Sequence, residues 1–209
     1  MRKITATALA TAAVAATVVG FTASPAAAAG TWTVTPGGSA SGSASGPTLT
    51  DLTTGTQLTC DSSAAAVTAK SGSGLAGDDI ADITSIGFTN CSGPFGINFT
   101  VNASGLPWHL NAVSYDATTH VTTGNISGIS ASLAGATCTA DIDGPGGAGS
   151  HTGSVNATYD NDTHVLAVSG GSLVPYNVGA GCLSLLGNGD PTSFDAGYAV
   201  TPAQTITSP

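Results

Sequence analysis

The sequence predicts an all-β fold, an antiparallel β-sandwich or barrel, on three observations. Apolar and polar residues alternate with a period of two in several short stretches. Clusters of Gly, Pro, Asn and Asp interrupt these about every ten residues, the spacing of a meandering antiparallel sheet. The usual solvent-face helix formers are nearly absent, since the 209 residues include no Glu and only three Lys or Arg.

Residues 1–29 read as a secretory signal peptide. Arg2 and Lys3 form a basic start, residues 8–21 an apolar stretch, and Ala26-Ala27-Ala28-Ala29 a small-residue end with an A-x-A cleavage site before Gly30. The apolar stretch is short for a membrane span, and no later segment reaches the roughly 20 apolar residues one needs. Residues 30–209 are therefore expected to form a single exported β-domain, secreted or extracellular. Within it, Thr31-Trp32-Thr33-Val34 alternates, and residues 37–46, rich in Gly, Ser and Ala, read as a flexible lead-in or a small-residue edge strand. Alternation returns over residues 97–101, 108–115 and 164–168. Leu183-Ser184-Leu185-Leu186 reads as one helical turn closed by Gly187-Asn188-Gly189-Asp190-Pro191.

An internal hairpin repeat is the most informative feature. Tyr115-Asp116-Ala117-Thr118-Thr119-His120-Val121 returns 44 positions later as Tyr159-Asp160-Asn161-Asp162-Thr163-His164-Val165. The same offset carries Gly135-Ala136-Thr137-Cys138 onto Gly179-Ala180-Gly181-Cys182. This predicts two copies of one unit: a strand ending at Tyr, a tight turn, a return strand, then a strand near a Cys. Asp116 and Asp160 are placed to accept hydrogen bonds from amides two residues on. His120 and His164 then fall where such a turn closes at positive φ, at hairpin tips in solvent.

Four cysteines, Cys60, Cys91, Cys138 and Cys182, lie well apart in a chain expected to be exported, which predicts two disulfides. Three pairings satisfy the count. Equivalent positions in the repeat favour Cys138 with Cys182, and hence Cys60 with Cys91. Two such closed loops would contribute about 3.5 to 4 kcal/mol each on chain-entropy grounds, which matters where aromatic residues are only 5% of the chain.

The charge balance excludes partners more firmly than it suggests them. Beyond the leader, Lys70 alone stands against twelve Asp, so nucleic acid is not an expected partner, because phosphate binding needs clustered cations. Gly144-Pro145-Gly146-Gly147-Ala148-Gly149 matches G-x-G-x-x-G, yet a strand-like stretch follows where a dinucleotide site needs a helix, so it reads as a hairpin loop. Asp78-Asp79 with Asp82, Asp141-x-Asp143, and Asp160-Asn161-Asp162 offer hard oxygen ligands. None is the twelve-residue calcium loop with its closing Glu, and they read as turn-capping carboxylates. The four His form no metal-binding pair at short spacing, and no G-x-S-x-G elbow occurs. No cofactor, metal or catalytic residue is expected.

The segments Phe88-Thr89-Asn90-Cys91, Leu106-Pro107-Trp108, residues 159–165, Gly181-Cys182 followed by Gly189-Asp190-Pro191, and Tyr198-Ala199-Val200-Thr201-Pro202 resemble a group of uncharacterised secreted proteins of actinobacteria. The likeness runs over residues 83–209. It implies export, two disulfides and an all-β fold, and brings no activity. In composition the chain is also similar to enediyne apoproteins, which hold a hydrophobic chromophore in a β-sandwich cleft. The low charge and hydroxyl-rich strands, rather than either likeness, lead to the expectation of a non-enzymatic exported β-domain of cell-envelope or extracellular structure or adhesion, facing a cell-wall or carbohydrate surface or another edge. The alternative is a carrier for a small apolar molecule, with Trp108, Phe99, Tyr176 and Leu110 near a cleft. A secreted hydrolase is the third expectation.

Overall fold

A computed structural model describes residues 31–209; the signal peptide read from residues 1–29 lies outside them. The strands are β1 (Trp32–Thr35), β2 (Gly38–Ser45), β3 (Thr48–Asp51), β4 (Gln57–Ala69), β5 (Gly72–Leu75), β6 (Ala81–Ser92), β7 (Asn98–Ser104), β8 (Trp108–Asp116), β9 (Val121–Gly135), β10 (Thr139–Asp143), β11 (Gly153–Asp160), β12 (Val165–Ser169), β13 (Val174–Tyr176), β14 (Thr192–Thr201) and β15 (Thr205–Thr207). Two single 3₁₀ turns, Pro94–Gly96 and Ala180–Cys182, are the helical elements among the described residues. The fold is all-β, and every strand pairing is antiparallel.

The alternation of sandwich or barrel is resolved as a barrel. Four strands, β4, β6, β9 and β14, run its length, and each pairs with different short strands along its two halves. The short strands join end to end as interrupted staves: β2 with β3 at Gly46-Pro47, β7 with β8 at Gly105-Leu106-Pro107, β10 with β11 across residues 144–152, and β12 with β13 across residues 170–173. Around the wall the eight staves follow chain order, and β14 closes the ring on β2 (Ala199 opposite Ser43) and β3 (Thr192 opposite Asp51). An up-and-down barrel of this size leaves an interior just wide enough for side chains or one small ligand.

Closure changes the reading of two segments. Residues 37–46 are neither a lead-in nor an edge: β2 is hydrogen-bonded to β4 on one side and β14 on the other. Gly42 packs against Tyr198, where a Cβ would lie 3.4 Å from the ring, in ordinary van der Waals contact. The helical turn expected at residues 183–186 instead sits at Ala180–Cys182, and Leu183 and Ser184 adopt positive φ, which ends it.

One end of the barrel is capped. A three-stranded sheet, β15-β1-β5, lies there, and its buried Trp32, Val34 and Ile206 join Ile80, Trp108 and Leu110 in the main core. Polar groups fasten it. The Tyr159 hydroxyl donates to Gln204 O (2.9 Å) and accepts from Gln204 N (3.1 Å), Gln204 Oε1 accepts from Gly37 N (2.9 Å), and Thr122 Oγ1 donates to Ile206 O (2.7 Å).

Both repeat hairpins turn at this capped end, side by side, because β9 pairs with β8 and β11. Asp116 Oδ1 accepts from Thr118 N (2.7 Å) and Asp160 Oδ1 from Asp162 N (2.8 Å), and His120 and His164 lie at φ 56° and 57°. His120 is exposed, whereas His164 is half-buried beside the Tyr159 hydroxyl. The second copy carries the extra work. Asn161, where the first has Ala117, donates from Nδ2 to His120 O (2.7 Å) and Ile206 O (3.0 Å) and accepts from Ile206 N (2.7 Å). It ties both hairpins to the cap.

The Gly-rich loop between β10 and β11 is organised by Asp143, which is fully buried. Its carboxylate accepts from Gly144 N (2.7 Å), Thr152 N (2.9 Å), His151 N (3.2 Å) and Ser150 Oγ (3.1 Å). Burial pushes this carboxyl up, but the ring of donors outweighs it and holds the group below its ordinary value of 3.8. Its stabilisation is therefore complete above that value and is lost as pH falls through the lower folded one. Two outcomes follow. Asn161→Ala should lower stability by about 2 to 3 kcal/mol in denaturant melts. Asp143→Asn should destabilise at neutral pH and flatten the loss of stability that the parent shows below about pH 4; an unchanged acid limb would contradict the assigned role.

Candidate functional site

Inward positions of the long strands are apolar: Leu58, Ala65 and Val67 on β4, Ile83, Ile86 and Phe88 on β6, Ile126, Ile129 and Leu133 on β9, and Tyr198 and Val200 on β14. The short staves add Leu49, Val101, Trp108, Ile142, Val155, Leu166 and Val168. They do not fill the barrel completely, and a cavity of about 100 Å³ remains along the interior. The Tyr198 phenol reaches into this lining and is satisfied, donating to Ser63 Oγ at 3.0 Å; burial raises its pKa above the ordinary 10.0. The Trp108 indole N–H donates to Ser104 O at 2.9 Å. Neither polar group is left free to bind a ligand.

Of the four residues expected near a cleft, the structure places one on the cavity. Trp108 lines it. Leu110, two residues along β8, is buried nearer the cap, opposite Ala81 and Ile126. Phe99 shares the side of β7 that carries Val101 and sits at the uncapped end, where a Cβ on Gly93 or Gly135 would each come within 2.9 Å of its ring. Tyr176 lies on β13 with its hydroxyl donating to Gly144 O (2.9 Å). Most of the lining comes from aliphatic residues on every stave, which no local sequence cue gathers.

The disulfides join Cys60 to Cys91 and Cys138 to Cys182. The first links directly opposed residues of β4 and β6, and Cys60 reaches the cavity wall. The second fastens the β9–β10 turn to the long β13–β14 connection. Both lie toward the uncapped end.

The Asp and His side chains lie elsewhere. His109 Nδ1 stands 2.9 Å from Asp82 Oδ1 and 3.4 Å from Asp79 Oδ1 on the outer wall, and His120 Nδ1 stands 3.0 Å from Asp162 Oδ1. Among the described residues no group of three or more His, Cys, Asp or Glu is arranged to hold a metal ion, and no helix is long and apolar enough to cross a membrane.

A family model described as alkane oxidation protein activator PraA/PraB-like matches residues 1–208. The chain belongs to the PraA/PraB-like family. The match spans every segment that carried the resemblance to secreted proteins, and the description is that of an activator, which suggests an accessory part and not a catalytic one. No curated protein and no solved structure matches the chain. In this PraA/PraB-like barrel, the inward positions along the cavity are apolar.

The packing around the cavity predicts the cost of enlarging it. Trp108→Ala should destabilise by about 3 to 5 kcal/mol. Trp108→Phe, which keeps most of the apolar volume but orphans Ser104 O, should cost about 1 to 2 kcal/mol. Urea midpoints separate the two, and equal losses would show that Trp108 acts through its hydrogen bond alone.

Proposed function

We propose that this protein is a non-enzymatic, extracytoplasmic binding protein that takes a saturated hydrocarbon chain into its barrel and so assists the oxidation of alkanes by other proteins. The observation that carries the reading is the cavity itself: its lining is apolar, and the polar atoms within it are already paired. An alkane has no group to hydrogen-bond and loses nothing in such a site. An alcohol or acid of the same length would bury a polar group without a partner. A cavity of about 150 Å³ lined by Leu, Ile and Phe stays dry and takes benzene, so one of about 100 Å³ accommodates a short stretch of chain. The family description, alkane oxidation protein activator, supports the same ligand class. Two disulfides support export to an oxidising compartment.

The structural or adhesive reading rests on hydroxyls of the outer wall, such as the Ser114–Thr123 and Thr48–Thr59 pairs. The closed wall weakens its edge-to-edge form, because closure removes the free strand edges such assembly uses. Phe99, Leu110 and Tyr176 enter the present proposal only as neighbours of the lining, with Trp108 as the contact residue.

Methyl-resolved NMR titration tests the proposal. Adding n-hexane should shift the methyl signals of Ile126, Ile129, Leu133 and Val168 while leaving wall residues unmoved. 1-Hexanol should bind at least about tenfold more weakly. Ala131→Leu, which extends a lining side chain into the cavity, should abolish the hexane shifts and leave the fold intact. Absence of hexane shifts in the parent would refute the proposal, as would equal affinity for the alcohol.

A further inference from the structure

Besides the barrel interior, the described residues form an open groove of about 530 Å³, a size within the range of small-molecule sites. One bank is the β3–β4 turn with the start of β4, carrying Thr54, Thr56 and Gln57; the other is the end of β6 with Gly93 and Pro94. Thr59 and Ser92, directly opposite each other on β4 and β6, join the banks. The groove shares no lining residue with the apolar cavity.

Both banks are held in place by the fold. Asp51 Oδ1 accepts from Thr53 N (2.8 Å) and Thr54 N (2.9 Å), Asp51 N donates to Thr56 O (2.9 Å), and Gly55 N donates to Asp51 O (2.8 Å), which pins the first turn. Gly93 N donates to Ile97 O (2.8 Å) and pins the second. Next to the Thr59–Ser92 pair, the Cys60–Cys91 disulfide links the two strands covalently. A preformed site of this kind has little ordering cost to meet on binding.

The hydrogen-bonding side chains fall into two sets. Thr54 Oγ1 donates to Leu185 O (3.0 Å) and accepts from Thr56 N (3.2 Å), and Thr59 Oγ1 pairs with Thr48 Oγ1 (3.2 Å), so these two hold the walls. The side chains of Thr56, Gln57 and Ser92 make no hydrogen bond among the described residues. Each of the three can both donate and accept, as a sugar hydroxyl does.

Phe95 follows Pro94 directly and is 90% exposed. Its φ of 59° lies in the left-handed region, where a bulky side chain is strained and Gly is not. The chain thus holds an aromatic ring in water at a position that Gly would fill without strain, which marks a surface with a use. An aromatic face beside two-way hydrogen-bonding groups matches a pyranose ring. The C–H face of the sugar packs on the negative face of the π system, and its hydroxyls exchange hydrogen bonds with amide and hydroxyl side chains.

We propose that this groove binds a neutral saccharide, with the Phe95 ring as stacking platform and Thr56, Gln57 and Ser92 as the contacts for its hydroxyls. The net charge of −9 repels acidic sugars and sets the preference for neutral ones.

NMR titration of the intact ¹⁵N-labelled protein tests this. The probes are cellotriose, mannotriose and triacetylchitotriose, neutral chains that differ in hydroxyl orientation and acetamido substitution, with trigalacturonate as the acidic control. At least one neutral probe should shift the Gln57 side-chain amide and the backbone amides of Thr56, Ser92 and Phe95, with a Kd on the order of 1 mM. Trigalacturonate should bind at least about tenfold more weakly. Phe95→Ala and Gln57→Ala should each weaken binding by about tenfold, whereas Phe95→Trp, which keeps an aromatic face, should retain it. Phe95→Ala should leave the melting temperature and the hexane shifts of the interior unchanged, so loss of this site and loss of the interior one are told apart. Absence of shifts with all three neutral probes overturns the proposal, as does unchanged affinity in Phe95→Ala or equal binding of trigalacturonate.

Discussion

Closure of the wall by β14 is the constraint on which the rest depends. A sheet of alternating Ser, Thr and aliphatic residues left open would expose two edges and one apolar face. Pairing β14 with β2 and β3 removes both edges and turns every inward position toward one interior. The stave that β14 closes on, β2, is Gly-Ser-Ala-Ser-Gly-Ser-Ala-Ser, and Gly42 packs beside the Tyr198 ring, whose hydroxyl reaches Ser63. The apolar interior is thus a consequence of closure as much as of the large aliphatic residues on the staves.

A chain with almost no cations cannot draw on networks of ion pairs, and the ion pairs among the described residues all involve His. Asp serves instead as an acceptor for backbone amides. Asp51, Asp116, Asp143 and Asp160 each hold a turn through short hydrogen bonds, a geometry that Glu, one methylene longer, would not reproduce at the same spacing. The acidity is therefore largely turn chemistry.

Local features were legible in the sequence and global ones were not. The hairpins at residues 115–121 and 159–165 could be read to the residue, because an Asp followed four positions later by a His at positive φ is a short-range geometric signal. The repeat also favoured the observed partner of Cys138. Closure was hidden, since nothing local in residues 37–46 distinguishes a central stave from a lead-in; the difference is made by β14, about 150 residues away in sequence. The helical turn near residue 183 was misplaced because Leu183 and Ser184 take left-handed backbone that their side chains do not advertise. For the site, alternation identified Trp108 as inward-facing, but aromatic content was a poor guide to the lining. Phe99 and Tyr176 sit near the margins, while the cavity is walled mainly by Val, Leu and Ile.

The duplicated unit shows how one sequence motif came to serve two ends of the molecule. At the capped end the copies meet directly, and the second has Asn161 and Asp162 where the first has Ala117 and Thr118, which lets it grip His120 and β15. At the other end the equivalent cysteines of the two copies bond to each other, and the residue after the second of them is Leu183. A cross-link between equivalent positions draws the two turns together and fixes the backbone on which that side chain stands. The tie between the hairpins at one end and the position of the exposed Leu183 at the other therefore share an origin in the register of the repeat. Had the copies been offset by one residue, inward and outward faces would have exchanged along the paired strands, and neither the apolar interior nor the position of Leu183 would survive.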